Sequence, residues 1–121
     1  MLPSEERLKH RRDFAAVYGR KRSWAHPLLV LYVRRYGGGT DEETETRRFG
    51  FSVSKKVGKA HDRNRVKRRL RAICRAHRGE WRRGFDAVFV ARTAAQEASY
   101  GELEAAVGDL MRRADLAEAC N

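Results

Sequence analysis

The stretch KKVGKAHDRNRVKRRLRAICRAHR, residues 55–78, governs the reading of the whole chain. Lys55, Lys56, Lys59, Arg63, Arg65, Lys67, Arg68, Arg69, Arg71, Arg75 and Arg78 crowd around a thin apolar stripe, with Asp62 as the one acid among them. At about 100° per residue counted from Arg65, the side chains of Val66, Leu70, Ile73 and His77 share one narrow sector. Arg65, Lys67, Arg68, Arg69, Arg71, Arg75 and Arg78 fall outside it. The spacing predicts a helix from about Asp62 to His77 that docks one side on a sheet and turns the rest outward. Like charges at this density repel one another and add nothing to folding, so their natural counter-charge is a polyanion.

The rest of the chain supports that division. It has 121 residues, 41% hydrophobic and 36% charged, which fits one globular domain over residues 1–121 rather than a disordered tail. The formal net charge is +11. Residues 47–83 hold 15 Lys or Arg against Asp62 and Glu80, a net of +13, so the other 84 residues sum to −2. A basic segment on a nearly neutral scaffold is the pattern of a nucleic-acid-binding face. Cys74 and Cys120 are too few and too far apart for a disulfide framework, which fits a reducing compartment. No apolar run approaches the ~18 residues of a membrane helix. The first residues, MLPSEERLKHRRDF, lack the apolar stretch of a signal peptide, so a cytoplasmic protein with no membrane partner is expected.

Elsewhere the elements are ordinary. Phe14, Val17 and Tyr18 recur at helical spacing over residues 11–18, with Gly19 as a stop. Residues 27–36 read as a strand opened by Pro27, and residues 47–55 as a second with Phe49, Phe51 and Val53 alternating. With the glycine-led acidic loop 37–46 between them, the two are expected to pair as a long-looped antiparallel hairpin. Residues 85–92 read as a buried strand. Ser99 and Glu102 form a capping-box pattern before a last helix whose apolar face is Leu103, Val107, Leu110 and Met111. Six acids against two arginines in residues 94–121 place that helix away from a polyanion. Helix, strand, strand, helix, strand, helix implies an α/β sandwich on one small sheet.

Catalytic machinery is hard to find. A stand-alone nuclease needs a preorganised carboxylate set for two Mg²⁺ ions. The dense acids are Asp41, Glu42, Glu43 and Glu45, in a loop with nothing to fix them. His10, His26, His61 and His77 show no base–orienter spacing, and Cys74 with His77 would lack further zinc ligands. No catalytic residue, no metal ligand, no cofactor bound by the protein alone and no small-molecule substrate is expected.

The run FSVSKKVGKAHDRNRVKRRLR, residues 51–71, resembles the protein subunit of bacterial ribonuclease P. The family's Arg-Asn-Arg motif stands as Arg63-Asn64-Arg65, followed by Lys67, Arg68, Arg69 and Arg71. The SVSKK-VGKA block matches Ser52 to Ala60. An early pattern matches Leu8, Lys9, Arg11, Asp13, Phe14, Val17 and Tyr18. Leu29–Val33, VARTAA at residues 90–95 and Ser99–Glu104 also fit, so the likeness spans nearly the whole chain. His61-Asp62, where an apolar or neutral pair is usual, and Cys74, in place of a larger apolar residue, depart from the pattern. Neither is expected to touch the cationic side chains.

That resemblance implies an α/β (α+β) two-layer sandwich with a four-stranded mixed sheet, three helices and a left-handed β-α-β crossover, against the usual right-handed rule. The fourth strand is expected from a different division of residues 27–55. It implies an endoribonuclease that works as a ribonucleoprotein, in which catalysis and the required Mg²⁺ reside with the RNA and the isolated protein is inactive. Arg63, Asn64, Arg65, Lys67, Arg68, Arg69 and Arg71 would bind the catalytic RNA, arginine forks pairing with phosphate oxygens. Asn64 reads equally as a helix N-cap. Phe14, Tyr18 and Tyr32, with Lys55 and Lys56, would hold the 5′ leader of precursor tRNA in a cleft; the residues alone read Phe14 and Tyr18 as core. The alternatives are a general structured-RNA-binding or ribosome-associated protein, an independent nuclease and a DNA-binding helix.

Overall fold

The computed structural model describes residues 6–20, 22–35 and 47–117. Among them stand α1 (Arg11–Gly19), β1 (Ser23–Ala25), β2 (Leu29–Arg35), β3 (Arg47–Ser52), α2 (Ala60–His77), β4 (Phe85–Ala91) and α3 (Tyr100–Arg113), with 3-10 turns at Arg78–Glu80 and Thr93–Gln96. The strands make one mixed sheet in the order β1-β2-β4-β3. β2 is antiparallel to both neighbours, and β3 runs parallel to β4.

Three expectations fail here. β2 and β3 are not a hairpin, because β4 lies between them. The reason is burial. β4 is apolar on both faces except for Asp86, so it belongs in the centre, where both faces are covered. A parallel β3–β4 pair needs a crossover, and α2 supplies it by laying Val66, Leu70, Ile73 and Cys74 on the sheet. The fourth strand is β1, upstream of Pro27, not a division of residues 27–55. Its three residues are too short to show a period; it is held by pairing with Val30, Leu31 and Tyr32, by Trp24 packing on the core and by Arg113, which donates to the Ala25 carbonyl at 2.7 Å. Pro27 sits in the bend between β1 and β2 rather than opening a strand.

The sheet has two unlike faces. Leu29, Leu31, Val33, Phe49, Phe85 and Phe89 point to one and pack with α2 and α3 into the main core. The other carries a smaller cluster of Leu8, Val17 and Val88 under α1. The capping box forms as its spacing predicts: the Glu102 amide donates to Ser99 Oγ at 3.1 Å, and the Ser99 amide donates to Glu102 at 2.9 Å. His77 is half-buried rather than core. Glu104 and Glu80 meet its two ring nitrogens at 2.8 and 2.6 Å and, Glu104 first, raise its pKa; through Glu104 the ring ties the end of α2 to α3. Cys74 is wholly buried, and burial pushes its thiol pKa far above the usual range.

Candidate nucleic-acid interface

The first surface lies on the α1 side of the sheet. Strand alternation brings Tyr32 of β2, Val88 and Val90 of β4, and Gly50 and Ser52 of β3 to one face. α1 crosses this face and seats Val17 in it. Tyr18 then meets Tyr32 edge-on, ring centroids 4.9 Å apart at 86°. Tyr18 also bonds Ser52, and burial, which outweighs that bond, raises the phenol's pKa. Phe14 packs so closely on β3 that a Cβ at Gly50 would stand 2.7 Å from its ring, which only glycine permits. Phe14, Tyr18 and Tyr32 are all half-buried, so each ring both packs and keeps an open part.

Both ends of this face carry charge. Beyond the end of β3, Val53 and Val57 are buried and the turn between them holds Lys55 and Lys56 out in solvent. At the other end, Asp86 is fully buried beneath Arg48, which donates to both its oxygens at 3.0 and 2.9 Å, with Arg34 at 3.4 Å. Arg48 also reaches Asp13 of α1 at 3.5 Å. The sequence reading missed this cluster, although Arg48, Gly50 and Ser52 recur every second residue and so share a face.

The second surface is α2, and its cations divide into two flanks. Arg65 donates to the Gln96 carbonyl at 3.1 Å, and Arg69 donates to the Ala98 carbonyl at 2.9 Å. These two clasp the segment leading into α3. Asp62 joins that clasp: it accepts from the Lys59 amide and Gln96 Nε2, both at 3.2 Å, and pairs with Arg65 at 3.3 Å. The expectation that Asp62 leaves the cationic side chains alone is therefore wrong. It caps the helix from inside the first turn because Lys59, at the N-cap, has no acceptor to offer. A Cβ on Gly58 would stand 2.9 Å from Asp62, so this approach also requires glycine. Asn64 lies within the helix and is exposed, which removes its N-cap reading. Arg63 lies near the buried side, and its Nε is enclosed without a hydrogen-bond partner.

The opposite flank is different. At ~100° per residue, Asn64, Lys67, Arg68, Arg71, Arg75 and Arg78 fall within roughly 100° of one another, along the β3 edge. Asn64, Arg68 and Arg75 are exposed, and Lys67, Arg71 and Arg78 half-exposed. Arg71 and Phe14, with Phe51 and residues 7–9, line one hollow of about 150 Å³, so the cationic flank and the aromatic face adjoin at β3. Among the described residues no group of three or more His, Cys, Asp or Glu could hold a metal ion, and no helix is long and apolar enough to cross a membrane. Asp41, Glu42, Glu43 and Glu45 lie outside the described residues.

A family model described as Ribonuclease P matches residues 2–115. The chain is 39% identical over 110 residues to the ribonuclease P protein component of Alkaliphilus oremlandii, strain OhILAs, with 91% of each chain covered. It is 38% identical over 115 residues to that of Clostridium novyi, strain NT, covering 95% of this chain and 98% of the relative. Among solved structures it resembles the RNase P protein of Staphylococcus aureus, with a TM-score of 0.81, 26% identity and coverage of 93% and 98%. It also resembles that of Thermotoga maritima, with a TM-score of 0.76, 29% identity and coverage of 89% and 96%. A crossover of the opposite hand would not superpose this well, so β3–α2–β4 turns as it does in those proteins.

Proposed function

The chain belongs to the ribonuclease P protein family, and from that membership we propose that its two surfaces serve two RNAs in the removal of 5′ leaders from precursor tRNA. The whole chain acts as one RNA-binding domain. The β3-side flank of α2, with Asn64, Lys67, Arg68 and Arg71, holds the catalytic RNA. Arg63, Arg65 and Arg69 border that contact; Arg65, its side chain 39% exposed, keeps donors free beyond its internal bonds. The α1 cleft holds the leader. Phe14, Tyr18 and Tyr32 offer open ring surface on which bases of any sequence can stack, and Lys55 and Lys56 hold the strand's phosphates. Hydrolysis and its Mg²⁺ are assigned to the RNA subunit on the family resemblance. By neutralising crowded phosphates beside the cleavage site, the protein tightens substrate binding and lowers the Mg²⁺ the complex needs.

One observation supports this reading above the others: Arg71 and Phe14 line one hollow, so the aromatic surface and the cationic flank of α2 adjoin. A protein that only bound structured RNA would have no use for an open aromatic cleft at that junction. Two substitutions separate the surfaces. Tyr18→Ala is expected to raise the dissociation constant of the reconstituted holoenzyme for leader-bearing substrate roughly 5- to 150-fold, the equivalent of one stacked base, with mature tRNA unaffected. Arg68→Ala is the cleaner probe of the helix, because Arg65 also holds the fold together. It is expected to weaken assembly with the catalytic RNA and lower the salt slope by about 1. Identical defects in both variants would dissolve the division.

A further inference from the structure

The cationic flank of α2 does not stop with the helix. Arg78 begins a 3-10 turn, after which Arg82 and Arg83 come up beside it. Together with Arg47 and Trp81 they line a bowl of about 440 Å³ open to solvent. Arg47 forms its floor. It is 5% exposed and already satisfied, donating to the Arg78 carbonyl at 2.7 Å and to Glu6 at 3.1 Å. Glu6 also pairs with Arg78, so one carboxylate serves two arginines. Arg82 has only a loose contact with exposed Asp115, at 3.7 Å. Arg82 and Arg83 are exposed, so their guanidinium groups face solvent at the rim of the bowl.

We propose that this bowl is a phosphate-binding site for the same catalytic RNA that occupies the flank of α2, extending that contact past the end of the helix. This rests on the function proposed above. Three features commit the site to that RNA rather than to the leader. Asn64, Lys67, Arg68, Arg71, Arg75 and Arg78 lead to it without interruption, a track of about 21 Å at the α-helical rise. The bowl sits where β3 begins, whereas Lys55 and Lys56 follow the end of β3, so the leader's lysines are a strand's length away. Its lining is arginine, whose planar fork suits phosphate oxygens, and Trp81, at 5% exposure, offers little ring surface for a base to stack on.

The test is the double variant Arg82→Gln/Arg83→Gln, titrated with the ribonuclease P RNA over a range of salt. Each lost phosphate contact removes about 0.9 from the salt slope, so the slope is expected to fall by one to two and the affinity roughly tenfold. Hydroxyl-radical footprints of the RNA should shorten at one end only, and the thermal midpoint should stay put because both side chains are exposed. Affinity of the assembled holoenzyme for leader-bearing substrate should not change. An unchanged slope and footprint would overturn the proposal, and so would a defect confined to substrate binding, which would hand the bowl to the precursor tRNA. Arg68→Ala, run in parallel, separates the two levels: if it weakens RNA binding while the double variant does not, only the extension fails; if neither matters, the RNA-binding reading of α2 fails with it.

Discussion

Raising monovalent salt from about 50 to about 200 mM is expected to weaken the protein's complex with ribonuclease P RNA by on the order of 10³-fold or more. The number follows from counting charges. Lys67, Arg68, Arg71, Arg75 and Arg78 lie on one flank of α2, with Arg82 and Arg83 beyond its end, and binding six to ten phosphates releases enough counterions for a fall of that size. These side chains lie on or near the surface, so bulk ions compete directly with the RNA. Arg65 and Arg69 contribute less than their charge suggests, because part of each guanidinium is bound to a carbonyl of the protein itself. Equilibrium titrations at four or five salt concentrations give the slope. A slope shallower than about −3 would mean that few of these cations meet phosphate, and the proposed interface would have to be abandoned.

Asp86→Ala is expected to destabilise the protein by about 3 kcal/mol. That is the low end of the range for breaking a buried ion pair, because Arg34 and Arg48 keep a quarter of their side-chain surface exposed and can turn toward water. The loss is a large fraction of the ~5–15 kcal/mol that holds a small protein folded. Urea unfolding at neutral pH measures it, and a change under about 1 kcal/mol would show that the buried carboxylate is not what holds the pair. The effect should reach function as well. Arg48 links Asp86 to Asp13 of α1, so loosening it frees the helix that carries Phe14 and Tyr18. Tyr18→Ala, by contrast, is expected to impair leader binding with the fold intact, which separates loss of the platform from loss of its support.

Not every helix cation is available to a partner, and this bears on how α2 variants are read. A substitution at Arg65 removes the bond to Gln96 and the partner of Asp62 at the same time as any RNA contact. Its defect would mix assembly with stability. Arg68 and Arg75 are exposed, so substitutions there test the proposed RNA contact with less cost to the fold.

Local signals in the sequence were strong enough to be right without a structure. Val66, Leu70 and Ile73 recur at helical spacing, and Ser99 with Glu102 closes its own cap, because such patterns involve residues within a turn or two of each other. The Arg-Asn-Arg run and the blocks around it identified the family, since the order of residue types along the chain carries that information directly. The neighbour of β3, the existence of β1 and the division of the α2 cations depended on contacts between distant residues. β4 displaces β2 from beside β3 because a strand apolar on both faces must be covered on both. Arg65 and Arg69 turn inward because the chain returns past them at residues 96–98, a proximity that no spacing along the helix encodes. Sequence alone decided that this helix would be cationic; only the folded chain decided which of its charges are left for a partner, because a guanidinium already bonded to its own backbone has fewer donors to give.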